Sequence, residues 1–314
     1  MAAAHVEIFM KPTCVCVCSA ILGFFLSVPA YAQIASVKAT GRDAEVNIEK
    51  YKTNIKLVDE KLKAAGDMMH AQPPNYRQAI AILTEASQMA PDQDAVWYRL
   101  GVAYLGSANA QGDGAEKTRC YTEAYSDLKK AIDLSIQRKS QELQDISSKA
   151  PCNVEGVCTH VEHVKGGAIS DNYKLAVYYS NLGDAAAKLG KSDEAIKDFQ
   201  HSTQLDPADA GTYYFNEGII LRNAAKSMAE RKQAAEAFDQ AIAADPNKAA
   251  DYYLKGEVLF GMATADSEGK VIPPPGAVEA LQKYLQLEPN GPYADRAKSF
   301  LAALNTTDRT NKKE

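Results

Sequence analysis

The sequence lacks most of the motifs by which an enzyme announces itself. Gly-x-Ser-x-Gly and His-Glu-x-x-His do not occur in its 314 residues. That removes the serine elbow and the helical zinc pair. Residues 106–114 are rich in glycine but lack the spacing and the Lys-Ser/Thr of a phosphate loop, so they read as a flexible insertion. No Cys-x-x-Cys or Cys-x-x-Cys-His is present, which argues against a dithiol redox centre and an attached haem. The acidic stretches Asp92-Gln93-Asp94 and Asp206-Pro207-Ala208-Asp209 do not continue into the alternating oxygens of a calcium loop and are expected to cap helices. His70 and His201 stand alone. A basic excess is missing too: 35 Lys and Arg face 40 Asp and Glu, for a net charge of −5, with no basic stripe to hold nucleic acid. The reading is a non-enzymatic protein without a cofactor.

Long apolar runs are confined to the N-terminus, so no membrane span is expected in the mature chain. Lys11 precedes an uncharged run, Thr13 to Val28, followed by Pro29-Ala30-Tyr31-Ala32. A positive flank, a short apolar core and an Ala-x-Ala exit are the parts of a secretory signal. At 16 residues the run is short for a span, which needs about 20; an uncleaved anchor is the alternative. Residues 1–32 are therefore read as a signal peptide and 33–43 as a linker, with Gln33 the mature N-terminus. Cys14, Cys16 and Cys18 fall within the signal, and the residues before Cys18 do not fit a lipoprotein site. Loss of Glu7 with Lys11 leaves the net charge unchanged. The expected location is the periplasm or cell envelope of a bacterium, the organism resting on the compact signal ending in AYAQ. A mature chain of about 280 residues exceeds one ordinary core, so two domains or a repeat array are expected.

Two patterns recur. The first is an alanine, an apolar residue four on, a small or apolar residue seven on and a proline twelve on: Ala79, Leu83, Ala86, Pro91; Ala195, Phe199, Ser202, Pro207; Ala234, Phe238, Ala241, Pro246; Ala277, Leu281, Tyr284, Pro289. These spacings share one helical face, and the proline stops the helix. Ala124, Leu128 and Ala131 begin a fifth copy without the proline, so that helix should run on through IDLSIQRKSQELQDI. The second pattern is an aromatic with a glycine four on: Trp97 and Gly101, Tyr179 and Gly183, Tyr214 and Gly218, Tyr252 and Gly256. A helical glycine costs about 1 kcal/mol against alanine; its recurrence predicts a partner helix too close to admit a side chain.

Helix, turn, helix with these positions resembles the tetratricopeptide repeat, a unit of about 34 residues. Residues 176–209 fit it without a gap, and about five repeats are expected, with insertions near 106–120, 224–233 and 265–275. The resemblance implies an all-α, right-handed superhelical solenoid over 44–304. Asp43 to Met69 should form one long helix at the open end. Residues 293–304 should cap the other end, and 305–314, polar throughout, should form a disordered tail.

The loop PCNVEGVCTHVEHVKGG, 151–167, offers Cys152, Cys158, His160 and His163. The spacing is wrong for the usual zinc knuckles, and VEHVKGG is a poor helix on which to pair the histidines. In an oxidising compartment the default is a Cys152–Cys158 disulfide. A bridge to Cys120, otherwise a buried small hydrophobe, and a metal site remain alternatives.

The resemblance also implies a scaffold that binds a peptide or protein segment along a groove lined by first helices. In the repeat register the candidate groove residues are Tyr98, Val102 and Leu105; Ser180, Asp184 and Lys188; Phe215, Ile219, Arg222 and Asn223; Tyr253, Glu257 and Phe260. Relatives that clamp a terminal carboxylate use lysine, arginine and asparagine there. This chain has only Lys188, Arg222 and Asn223, so apolar segments are the expected ligand. The competing readings are an envelope component using the 151–165 loop for structure or metal, and an accessory subunit of an envelope enzyme complex.

Overall fold

The computed structural model describes residues 42–149, 161–268 and 271–305, without the side chains of 42–52, 142–149, 161–170 and 305. The expected signal, most of the linker, Cys152, Cys158, His160 and the tail beyond Asn305 lie outside the described residues, as does the side chain of His163. The fold is all-α, as expected: helices α1 (Arg42–His70), α2 (Tyr76–Met89), α3 (Asp94–Asn109), α4 (Ala115–Lys149), α5 (Val161–Lys188), α6 (Ser192–Leu205), α7 (Ala210–Ala224), α8 (Met228–Ala244), α9 (Ala249–Phe260), α10 (Ala277–Leu287) and α11 (Ala294–Asn305). The described residues divide into two compact units, with the boundary between Glu123 and Ala124. No described helix is long and apolar enough to cross a membrane.

The prolines set the helix ends. Helices α2, α6, α8 and α10 each stop two residues before Pro91, Pro207, Pro246 and Pro289. The residue before each proline is forced out of the helical region. Its N–H still closes a last turn: Ala90 to the Ala86 carbonyl, Asp206 to Ser202 and Asp245 to Ala241 at 2.9 Å, and Glu288 to Tyr284 at 2.8 Å. Without a proline, α4 continues to Lys149. The recurring aromatics tie successive repeats: Trp97 Nε1 donates to the Pro91 carbonyl at 2.9 Å, and Tyr252 Oη to that of Pro246 at 3.2 Å.

In the first unit, Val58, Leu62 and Ala65 of α1 pack with Leu83 and Ala86 of α2 and with Val96, Leu100 and Ala103 of α3. Ile55, one turn before Val58 on α1, is exposed. In the second unit, Ala186, Ala195 and Phe199 join α5 to α6, and a larger cluster around Phe238, Tyr253, Leu281 and Tyr284 joins α8 to α11. The predicted glycines sit at close approaches. A Cβ on Gly183 would lie 3.1 Å from Phe199 Cζ, on Gly218 2.8 Å from Phe238 Cε1, and on Gly256 2.7 Å from Leu281 Cδ2. In each case the glycine meets the bulky second-helix residue of its own repeat. Gly101 is also buried.

Several expectations are corrected. VEHVKGG is helical, because α5 begins at Val161 and runs through Gly166 and Gly167. The cost of two glycines is borne by a helix anchored from Leu175 onward, and Lys139 Nζ donates to Asn172 Oδ1 at 2.8 Å to tie its first half to α4. The insertion at 106–120 shrinks to residues 110–114, since α3 and α4 lengthen into it. The 265–275 insertion contains a ribbon, β1 (Thr264–Ala265) antiparallel to β2 (Val271–Ile272), with Val271 packed on the core. Asp206 and Asp209 do not cap amides as expected: Asp206 accepts from Tyr213 Oη at 3.2 Å and Asp209 from Thr212 Oγ1 at 2.9 Å, while Asp94 lies buried in the first turn of α3.

Candidate functional site

The groove candidates recur at fourth and seventh or eighth positions, so each set lies along one face of its helix. In the first unit, Tyr98 and Val102 are half-buried and Leu105 is buried. In the second unit, α5 presents Ser180 half-buried, and Asp184 and Lys188 exposed. On α7, Phe215 and Ile219 are half-buried against the main cluster, Arg222 is half-buried and Asn223 exposed.

On α9 the outcome differs from expectation. Tyr253 is 1% exposed, its ring stacked on that of Tyr293 with centroids 4.2 Å apart. Phe260 stacks on Phe300 at 4.2 Å. Helix α11 and the residue before it therefore cover what would be the groove face of the last repeat. Leu105 and Tyr253 belong to the buried core, which the register alone does not reveal.

The structure does bring Arg222, Asn223 and Glu257 together. Arg222 Nη1 donates to Glu257 Oε2 at 2.8 Å, and its Nε and Nη2 donate to Asn223 Oδ1 at 3.3 and 3.2 Å. Glu257 Oε1 also accepts from Tyr253 Oη at 3.3 Å and pairs with Arg296 Nη2 at 3.0 Å. A cavity of about 280 Å³ opens here, lined by Arg222, Arg231, Glu257 and Val258. Arg231 and Arg296 escaped the sequence reading: one begins a helix after an insertion, and the other lies on the capping helix.

Asp184 carries the one perturbed carboxyl on the α5 face. Water reaches it, yet crowding by the protein pushes its carboxyl up to about 6, against the opposing pull of Lys188 one turn away. Cys120, expected to be a buried hydrophobe, is fully buried and receives Gln111 Nε2 at 3.7 Å. His201 stacks on Tyr179 with centroids 4.9 Å apart. Among the described residues no group of three or more His, Cys, Asp or Glu could hold a metal ion.

Residues 176–209 match the family model described as tetratricopeptide repeat. Among solved structures, the chain is similar to YrrB, described as a TPR protein with an unusual peptide-binding site, at 17% identity and a TM-score of 0.49, covering 83% of this chain and 100% of that one. It is similar to MamA at 18% identity and a TM-score of 0.47, covering 74% and 96%. For PilF of Pseudomonas aeruginosa the values are 12% identity, a TM-score of 0.47, and coverage of 83% and 94%. No curated protein matches the chain.

Proposed function

Because this chain belongs to the tetratricopeptide repeat family, whose fold serves protein–protein interaction, we propose that it is a non-enzymatic scaffold holding a peptide or protein segment in the groove of its first helices. The observation that carries this reading is Phe215 and Ile219 on α7. They are apolar, half-open to solvent and one turn apart at groove positions, with Arg222 and Asn223 on the next turn. Apolar anchors beside polar groups are the usual anatomy of a binding hot spot. Tyr98 and Val102 offer a further surface on the first unit.

Capture of partners from an envelope fraction tests this reading. The Phe215→Ser/Ile219→Ser double variant, folded by circular dichroism, is expected to lose the partners that the parent retains. Undiminished capture overturns the groove.

The leader-like first 32 residues support export to the periplasm or envelope. The expected intact mass of unreduced exported protein is that of a chain starting at Gln33, gaining two hydrogens on reduction as the Cys152–Cys158 bridge opens. Retention of Lys11 overturns export with cleavage, and a mass unmoved by reduction overturns the bridge.

A further inference from the structure

Helix α1 is long for the helices packed against it. It has 29 residues where α2 has 14, about 43 Å against about 21 Å. Its apolar seam keeps a seven-residue period: Ile48, Tyr51, Ile55, Val58, Leu62 and Ala65 alternate three and four apart. A narrow seam of that period is what a helix paired along its length with another helix requires. The downstream stretch has its partners, since Val58, Leu62 and Ala65 pack with α2 and α3. Burial along the seam then changes within one turn, from 1% exposure at Val58 to 39% at Ile55. Leu57, on the flank of Ile55, is 42% exposed. The helix nevertheless runs on unbroken to Arg42, and the sequence carries the seam with it.

We propose that the upstream seam of α1 pairs antiparallel with the same seam of a second copy of this chain, making a two-fold homodimer. The sequence is self-complementary in that register. Setting position 48 opposite 51 and 44 opposite 55 matches isoleucine with tyrosine and alanine with isoleucine across the axis. The same register brings the flanking position 45 to 52, a glutamate to a lysine, and the two-fold axis repeats the pair. Positions 47 and 54, on the other flank, are both asparagine and add no like-charge contact. A parallel pair would set 47 against 52 and 54 against 59, asparagine against lysine and aspartate, and would form no ion pair. The overlap ends at position 55, short of Val58, so the second copy takes no place that α2 and α3 already hold. About three helical turns make a small interface, which forms at micromolar concentration and exchanges. The pairing is independent of the groove reading; where both hold, one particle carries two grooves and gains avidity for a partner with repeated segments.

Sedimentation equilibrium of the full protein tests this, with reductant present so that no cysteine cross-link contributes. The parent is expected to pass from monomer to dimer as its concentration rises through the micromolar range, and to dissociate further with added salt. Ile55→Glu, at an exposed position, is expected to stay folded by circular dichroism and to remain a monomer. Glu45→Lys and Lys52→Glu are each expected to weaken the dimer about tenfold. The double exchange, Glu45→Lys with Lys52→Glu, is expected to restore it. The two positions lie seven apart on one helix, too far to pair within a chain, so rescue reports a contact between copies. A parent that stays monomeric at every concentration overturns the pairing, as does a dimer that Ile55→Glu leaves intact. A dimer lost in Ile55→Glu but not rescued by the charge exchange overturns the antiparallel register.

Discussion

At the residue scale, buried carboxyls make the stability depend on pH. Asp251, in the first turn of α9, is 1% exposed, and its Oδ2 finds no hydrogen-bond partner among the described residues. Burial pushes its carboxyl up to about 6, with Lys248 opposing and Asp245 reinforcing. Because the folded pKa lies above the unfolded value of 3.8, the folded state holds its proton more tightly. Below that value both states are protonated. As pH rises to about 6 the unfolded chain ionises first and stability falls; above 6 the loss is complete. Asp251→Asn is therefore expected to match the parent at pH 4 and to be more stable at pH 7.5 by on the order of 2 kcal/mol. Denaturant melts at the two values check this, and equal stability at both would mean that the carboxyl is solvated. Asp198, raised to about 7 by burial and by Glu194, pulls in the same direction. Asp251 carries no sign of this in the sequence: an Asp early in a helix reads as a favourable dipole partner, and only the tertiary packing buries it.

At the scale of elements, glycine recurrence and proline punctuation were legible because both act locally. A proline ends a helix through its own ring, wherever the helix sits. A recurrent helical glycine signals a close approach, and the structure identifies the approaching group as Phe199, Phe238 or Leu281. Gly183→Leu is expected to cost about 1–3 kcal/mol by overpacking, since its Cβ would already lie 3.2 Å from the Ala195 carbonyl, on backbone that cannot turn aside. A melting temperature equal to the parent's would contradict that contact. Helix lengths in the insertions were less legible. Val161 to Gly167 has weak propensity, and α5 includes it because the neighbouring turns and α4 supply what local sequence does not.

At the scale of the whole molecule, the capping helix is the element that bears most on the groove. Tyr293 and Phe300 cover Tyr253 and Phe260, while Ala297 and Leu304 enter the same core. Repeat arrays couple mainly to nearest neighbours. A chain ending at Asn290 is therefore expected to lose hydrogen-exchange protection in α9 and α10 and to keep it in α5 and α6. Uniform loss across the second unit would show instead that it unfolds as one block.

Sequence by itself determined the repeat, its register, its helix stops and its close-packed glycines, since these depend on residues within one helical hairpin. It also marked Phe215, Ile219, Arg222 and Glu257 as one class of position. Tertiary structure alone decided which members of that class remain accessible. Tyr253 and Phe260 have the same spacing as open residues, but α11 lies over them. Arg296 belongs to no repeat position, yet it pairs with Glu257 from a helix distant in sequence, and Arg231 reaches the Gly261 carbonyl at the end of the same α9. Periodicity specifies the face of a helix; what lies against that face depends on elements far along the chain.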